Sequence, residues 1–369
     1  MNPTGDRFTM MHKNAILYIK HADSSFVLAD QQTLGKSYAV KPFLLNQSGG
    51  KHIFLLRLLG MIGFVFRNRK GTVYLITWFA DYHAAILSAL GKLFGIPVII
   101  FAGGQEAVSY PELGKGVYHH KIRGRFVKYA LRNCSLIIPN HQSLIFHENH
   151  YYSSAGKKDG IRHYIPDLTT RIEIIPNGID TTKYFRDYSI PKQTDSILTV
   201  GTMLAWSDFM NKGFDLFIQL AERNPTLAFT LIGLHPRYAL KVEEQFGVSA
   251  IPNLQIIHLY CPDEVLFPSY NKAKVFIQAS ITEGMPNTLN EAMLCGCIPV
   301  GSDVNGIPDA MGGTGVLVRH RDIGELEQAV QKALTLHTEE EAIRYAQNHF
   351  TKEIRAAKIR SLLTSLDDS

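Results

Sequence analysis

The chain has 369 residues, 46% hydrophobic and 19% charged, with 29 Gly and 16 Pro, a usage that excludes disordered and collagen-like polymers and leaves room for two domains, each with its own core. Four cysteines, Cys134, Cys261, Cys295 and Cys297, are too few for a disulfide scaffold and form no CxxC, which suits a reducing compartment. The net charge of +5 divides unevenly, with 23 Lys/Arg against 12 Asp/Glu in residues 1–190 and 15 against 21 in residues 191–369; the first half is expected to face something anionic, such as a membrane surface, phosphates or nucleic acid, unless the imbalance is only that of two solvated surfaces.

The opening stretch, MNPTGDRFTMMHKNAILYIK, has no apolar run of signal-peptide form, and nowhere do about 18 apolar residues run without a charge. Neither secretion nor a spanning helix is expected, and a cytoplasmic location is. Short Val/Ile/Leu runs then alternate with segments of helical period, the pattern of βα units building a parallel sheet. In the first half, strands are predicted at 14–20, 72–78, 97–102, 135–139 and 172–176, with helices near 82–94 and 118–133. Residues 51–70, KHIFLLRLLGMIGFVFRNRK, form an apolar stretch interrupted by Arg57 and bracketed by cations. It is too short to span a bilayer and suits either a core helix or a helix lying in an anionic membrane interface. Residues 183–195 are polar, contain Pro191 and lack a period, so a linker is expected there. Strands follow at 196–201, 228–233, 254–259, 275–279, 298–301 and 315–318, with helices near 214–223, 236–246, 287–294 and 323–336, and a helical tail over 339–366. The fold class implied is α/β, two Rossmann-like domains with parallel sheets facing across a cleft. The expected divisions are 1–190, 191–350 and a C-terminal helix over 351–369 that packs back on the first domain.

The most informative stretch is SITEGMPNTLNEAMLCGCIPVGSD, residues 280–303. A strand ending at Ala279, a tight loop at Gly284 and Pro286 near the first helical position would aim the N–H groups of Gly284, Met285, Asn287 and Thr288 into the cleft, where they form a diphosphate site. Glu283, on the loop, is placed to meet a sugar hydroxyl, and Glu291, about one turn into the helix, to accept from a ribose diol. Lys212, in NKG before an apolar helix, would set a cation beside the phosphates. In the first half, Gly103 and Gly104 precede Gln105 and Glu106 after a strand, which allows close approach of a ligand or makes a plain turn. Ser24 and Ser25 lie in a loop after the first strand, where they hold a phosphate or hydroxyl or simply cap a helix. Trp78, Asp81 and His83, at another strand end, would line a sugar pocket or serve the core.

The segment EGMPNTLNEAMLCGCIPV resembles the EGxPxxxxEAMxxGxPV signature of retaining glycosyltransferases of family 4, the group 1 glycosyl transferases of GT-B fold. VNGIPDAMGGTGVLV and IIPNGIDTTKYF are similar to two further motifs of that family. The resemblance implies an acceptor-side first domain, a nucleotide-sugar-binding second domain, and transfer of a hexose or amino-hexose from a UDP- or GDP-type sugar to an oligosaccharide or lipid-linked acceptor. It implies no cofactor and no metal, and a setting in surface polysaccharide synthesis, peripheral to the inner face of the membrane. Two departures stand out. Thr202 occupies the place of the family's phosphate-gripping Arg, so Lys212 acts alone or Arg237 of GLHPR takes the second role. The family's first-domain His is missing, and GGQEAVSYPELGKG is similar instead to a subset with GGxD/E, which puts Glu106 at the reaction centre beside Glu283 and Lys212. A non-catalytic nucleotide-sugar-binding scaffold or regulator is the alternative, and an epimerase or phosphorylase a third. No GxGxxG, GxxxxGK[ST], DxD or HExxH occurs, and the acidic second half argues against a nucleic-acid footprint.

Overall fold

The structure, a computed structural model, describes residues 14–46, 48–259 and 261–368. The first 13 residues, part of the stretch from which the lack of a signal peptide was read, lie outside them. Two six-stranded parallel sheets dominate. The first holds β1 (Ala15–Lys20), β2 (Ala39–Leu44), β3 (Thr72–Trp78), β4 (Val98–Ala102), β5 (Leu136–Pro139) and β6 (Arg171–Ile172) in the order β6-β5-β4-β3-β1-β2. The second holds β7 (Gln193–Val200), β8 (Ala228–Leu234), β9 (Leu254–His258), β10 (Ala273–Gln278), β11 (Ile298–Ser302) and β12 (Val316–Val318) in the order β9-β8-β7-β10-β11-β12, that of a dinucleotide-binding Rossmann sheet. Helices cover both faces of the central strands: all five residues of β4, an unbroken apolar run, and all six of β10, Lys274 and Gln278 included, are buried.

The flanking helices are α1 (Ser25–Leu34), α2 (Gly50–Asn68), α3 (Tyr82–Phe94) and α4 (Lys121–Asn133) in the first half. The second half adds α5 (Phe214–Arg223), α6 (Ala239–Phe246), α7 (Asp263–Lys272), α8 (Asn287–Leu294), α9 (Ile307–Met311), α10 (Ile323–Thr335), α11 (Glu339–His349) and α12 (Lys352–Asp367). Helix α2 buries Leu58, Met61 and Val65 and leaves Ile53, Leu55, Leu56, Leu59 and Phe66 exposed. It is therefore both a packing helix and an apolar surface. Arg57 is drawn inward to the carbonyls of Asn46 and Ser48, so it holds the preceding loop rather than facing outward.

Several expectations need correction. Strand β2 was not foreseen, because Lys41 and Pro42 interrupt its apolar pattern; an edge position tolerates both. The predicted linker is a pinned strap: Lys192 Nζ donates to the carbonyls of Ala273 (2.7 Å) and Cys295 (3.0 Å), and β7 begins inside it at Gln193. The tail is two helices, broken where Ile179 N–H bonds Phe350 O (2.7 Å) and where Thr351 Oγ1 caps α12 by accepting from Ile354 N–H. Helix α12 then lies on the first domain. Its Ile359 and Leu363 join Val27, Leu34 and Tyr38 in one core cluster. Arg355 makes two 2.7 Å bonds to the buried Asp30, and Asp367 accepts from Tyr38 and Tyr74, each at 2.6 Å.

Candidate functional site

Loops at the carboxyl ends of the two sheets meet, the place where open α/β sheets bind ligands. Glycines permit the approach. A Cβ on Gly284 would fall 2.6 Å from Asn140 Oδ1 and 3.0 Å from Gly103 O, and one on Gly306 would fall 2.4 Å from Gly284 O. Bonds across the cleft run from His141 Nε2 to Asp309 Oδ2 (2.8 Å), from Asn149 Nδ2 to Ile281 O (2.7 Å), from Asn177 Nδ2 to Asn287 Oδ1 (3.0 Å), and from Lys115 to Asp208.

On the second-domain side, Lys212 Nζ lies 2.7 Å from Glu283 Oε2, each side chain about one-fifth exposed (22% and 20%). Burial opposes the ammonium charge, but the Glu283 carboxylate outweighs it and holds the lysine above its ordinary pKa. The lysine stands there because Gly213 follows in a left-handed turn (φ +72°), where a Cβ would meet Ala279 O at 2.4 Å. Glu283 N–H donates to Asn305 Oδ1 at 3.1 Å. No acceptor among the described residues takes the N–H of Gly284, Met285, Asn287 or Thr288. Pro286 precedes α8 as its N-cap, and Met285 sends its side chain into the core, so these residues offer backbone only. Thr288 Oγ1 donates to Gln278 Oε1 at 3.1 Å. Glu291, in the second turn of α8, lines a cleft of about 520 Å³ together with Ser25 and Lys183. Burial pushes its carboxyl up to about 7, although Tyr270 O–H, donating at 2.9 Å, pulls the other way.

On the first-domain side, Glu106 is fully buried. Its Oε1 accepts from Gly103 N–H at 2.7 Å, and its Oε2 has no partner among the described residues. Burial pushes this carboxyl up to about 7 against the pull of the loop N–H groups. Gly104 has φ +140°, a backbone shape that turns the loop back on the carboxylate. Ser24 stands at the N-cap of α1 without a side-chain cap bond.

Other expected residues do not join this group. Thr202 is exposed. Arg237 donates to Leu204 O and lies 4.6 Å over the Tyr238 ring, so its guanidinium is engaged elsewhere. Trp78 and His83 are core residues rather than pocket lining: Trp78 Nε1 donates to Asp30 Oδ2 at 3.1 Å, and His83 is enclosed between Thr77 and His21. Asp81 caps α3 and pairs with Arg123 at 2.7 Å. Sequence reasoning passed over Asn140, Asn177 and Asn305. The last two stand in PNGID and VNGIP, inside segments already singled out, and Asn305 adopts φ +51°, which Asn tolerates better than most residues.

Residues 194–336 match the family described as glycosyl transferases group 1. The serotype-specific mannosyltransferase WbdA of Escherichia coli is 29% identical over 119 residues, which are 32% of this chain and 14% of that enzyme. The sucrose-phosphate synthase of Thermosynechococcus elongatus superposes with a TM-score of 0.74 at 14% identity, over 96% of this chain and 99% of that one. Anabaena HepE, solved in complex with UDP and glucose, superposes at 0.68 and 15% identity, over 95% and 100%. The chain has the two-domain α/β architecture of the GT-B fold, and within it residues 194–336 are similar to the glycosyl transferases group 1 family.

Proposed function

We propose that the protein is a retaining glycosyltransferase of family 4 that moves a hexose or amino-hexose from a nucleotide diphosphate sugar, of UDP or GDP type, to an oligosaccharide or lipid-linked acceptor in surface polysaccharide synthesis. The observation that carries this reading is the convergence of Lys212, Glu283 and the N–H groups of Gly284, Met285, Asn287 and Thr288, which no acceptor among the described residues takes, beyond the end of β10, with Glu291 further along α8 lining a cavity of its own. The anomeric carbon–oxygen bond to the diphosphate breaks as the acceptor hydroxyl attacks from the same face. The new glycosidic bond forms, and the hydroxyl proton passes to a diphosphate oxygen. Lys212 has two N–H donors beyond the one given to Glu283, and with the loop N–H groups they stabilise the charge on the leaving diphosphate. Glu283 orients the sugar and Glu291 holds the ribose; Glu106, expected to face the sugar, is instead enclosed beneath the Gly103–Gly104 loop and braces it through Gly103 N–H. No step draws on a metal or a further cofactor. The exposed apolar side of α2, with Lys51, Arg67 and Lys70 around it, would rest on the cytoplasmic face of an anionic membrane.

The test is a thermal-shift and hydrolysis screen against a panel of nucleotide sugars, with Lys212→Ala alongside. One donor should stabilise the protein and release its nucleoside diphosphate slowly, and the variant should lose about a hundredfold of that turnover. Stabilisation with no turnover, even with acceptors added, would favour a binding-only scaffold, the reading suggested by Thr202 and by the engagement of Arg237 elsewhere.

A further inference from the structure

The two domains exchange a residue beside the loop that carries Glu283. Ile281, from the second half, is fully buried in the first domain's core cluster with Val108, Tyr110 and Leu144, and Tyr151, from the first half, is buried in the second domain's core. Tyr151 O accepts from Arg321 N–H at 3.0 Å, and its hydroxyl donates to Ala279 O at 3.4 Å. Ile281 N–H donates to Asn211 O at 2.8 Å. Ile281 thus ties the loop that ends in Lys212 to the loop that runs on to Glu283.

The carbonyl of Ile281 is held from the first domain. Asn149 lies in a hairpin in which His147–Asn149 pairs with Lys157–Asp159. It donates one amide hydrogen to Ile281 O at 2.7 Å and the other to the Tyr110 hydroxyl at 2.8 Å. Tyr110 in turn donates to Asp159, which also accepts from Tyr164 at 3.3 Å. Asn149, Tyr110 and Asp159 are all buried. A carboxylate only accepts, so Asp159 sets the direction of the whole chain: Tyr110 donates to it, the tyrosine oxygen accepts from Asn149, and the amide presents a hydrogen to Ile281 O. On its other side Asn149 Oδ1 accepts from Tyr152 N–H at 3.0 Å. Packing of the Ile281 side chain alone would bury it without fixing its peptide plane, whereas a directional bond to its carbonyl fixes both.

We propose that Asn149 is a positioning residue: oriented by Tyr110 and Asp159 inside the first domain, its amide holds the Ile281 peptide and thereby sets Lys212 against Glu283 across the two loops. The second domain supplies both charged groups, but the register between their loops comes from the first. That the aligned pair acts on a departing diphosphate rests on the transfer reading above; the alignment itself does not.

Two measurements on the full chain test this, with Asn149→Ala and with Tyr110→Phe, which keeps the ring and removes only the hydroxyl. The first is trace acetylation by acetic anhydride at alkaline pH, followed residue by residue by mass spectrometry with no donor present. The Glu283 carboxylate keeps Lys212 charged and slow to react. Both variants should speed its labelling several-fold, towards the rate in Glu283→Gln. Lys192, held by carbonyls that include Ala273 O at the start of β10, should keep its parent rate. An unchanged Lys212 rate overturns the proposal, and so does a rise in Lys212 and Lys192 together, which would show general loosening. The second measurement is donor turnover. Asn149→Ala should lower kcat about tenfold with donor KM little changed, and should cost nothing further in a Lys212→Ala background. Full additivity with Lys212→Ala overturns the proposal. A parent without turnover sinks the transfer reading instead, and the labelling still decides whether Asn149 aligns the pair.

Discussion

Two carboxyl groups, Glu106 in the first domain and Glu291 in the second, are each pushed to about 7 by burial. An unfolded glutamate titrates near 4.5, so the folded state favours the neutral acid. That contribution is complete below about pH 4.5 and is lost as the pH rises through 7. For the fully buried Glu106 the loss is on the order of 3 kcal/mol between pH 5 and 8. Urea unfolding should therefore show Glu106→Gln falling less in stability than the parent over that window; parallel curves would mean the acid is ionised throughout. Glu291→Ala should raise the donor Kd by about tenfold to a hundredfold if the ribose diol depends on it, and an unchanged Kd would remove Glu291 from the donor site. The meeting of Lys212 with Glu283 was legible in the sequence because Glu283 follows the end of β10 by five residues and Lys212 precedes the start of α5 by two, both in loops at the same end of one sheet. Asn305, and the pairing of His141 with Asp309, were not, because each depends on residues far apart in the chain that only the packed loops bring together.

Helix α12 belongs to the end of the chain and to the packing of the first domain at once. Arg355 and Asp30 are both almost fully buried, and Arg355 also donates to the carbonyls of Ile175 and Pro176. Replacing Arg355 by Met strands a buried carboxylate, so stability should fall by about 3–5 kcal/mol; adding Asp30→Leu should restore most of it. Urea denaturation of both variants decides this, and a double variant as weak as the single would mean that packing, not charge, dominates. At this scale most of the fold was legible: the bounds of β3, α3, α5 and α8 are those expected from apolar runs and helical period. The helical period of 339–366 ran straight across the break at Phe350, which neither Gly nor Pro marks, although the expected division at 350 coincides with it; β2 was hidden because an edge strand tolerates a lysine and a proline that a central strand excludes.

Across the whole molecule the cleft is held by polar contacts from several loops, Lys115 with Asp208 and His141 with Asp309 among them. Their pairing sets how far the sheets stand apart, which the sequence, read one domain at a time, did not convey. The double variant Lys115→Ala, Asp309→Ala should have a larger radius of gyration by solution scattering and bind donor about threefold to tenfold more weakly, since part of the population would sit open. Its unfolding midpoint should move little, because each domain keeps its own core. An unchanged radius would mean that the remaining contacts, Asn149 with Ile281 O, Asn177 with Asn287 and the close glycine approaches, suffice to hold the cleft.

The return of α12 to the first domain also sets the order in which the protein matures on the ribosome. Residues that complete the first core, Ile359 and Leu363, are synthesised about 190 positions after β6. At common elongation rates that is roughly 10–40 s during which Val27, Leu34 and the acid at position 30 wait uncovered. The second domain, contiguous in the chain, is free to fold within that interval. The nascent first domain is thus the segment that a ribosome-bound chaperone would shield, and it is released only when the last helix emerges.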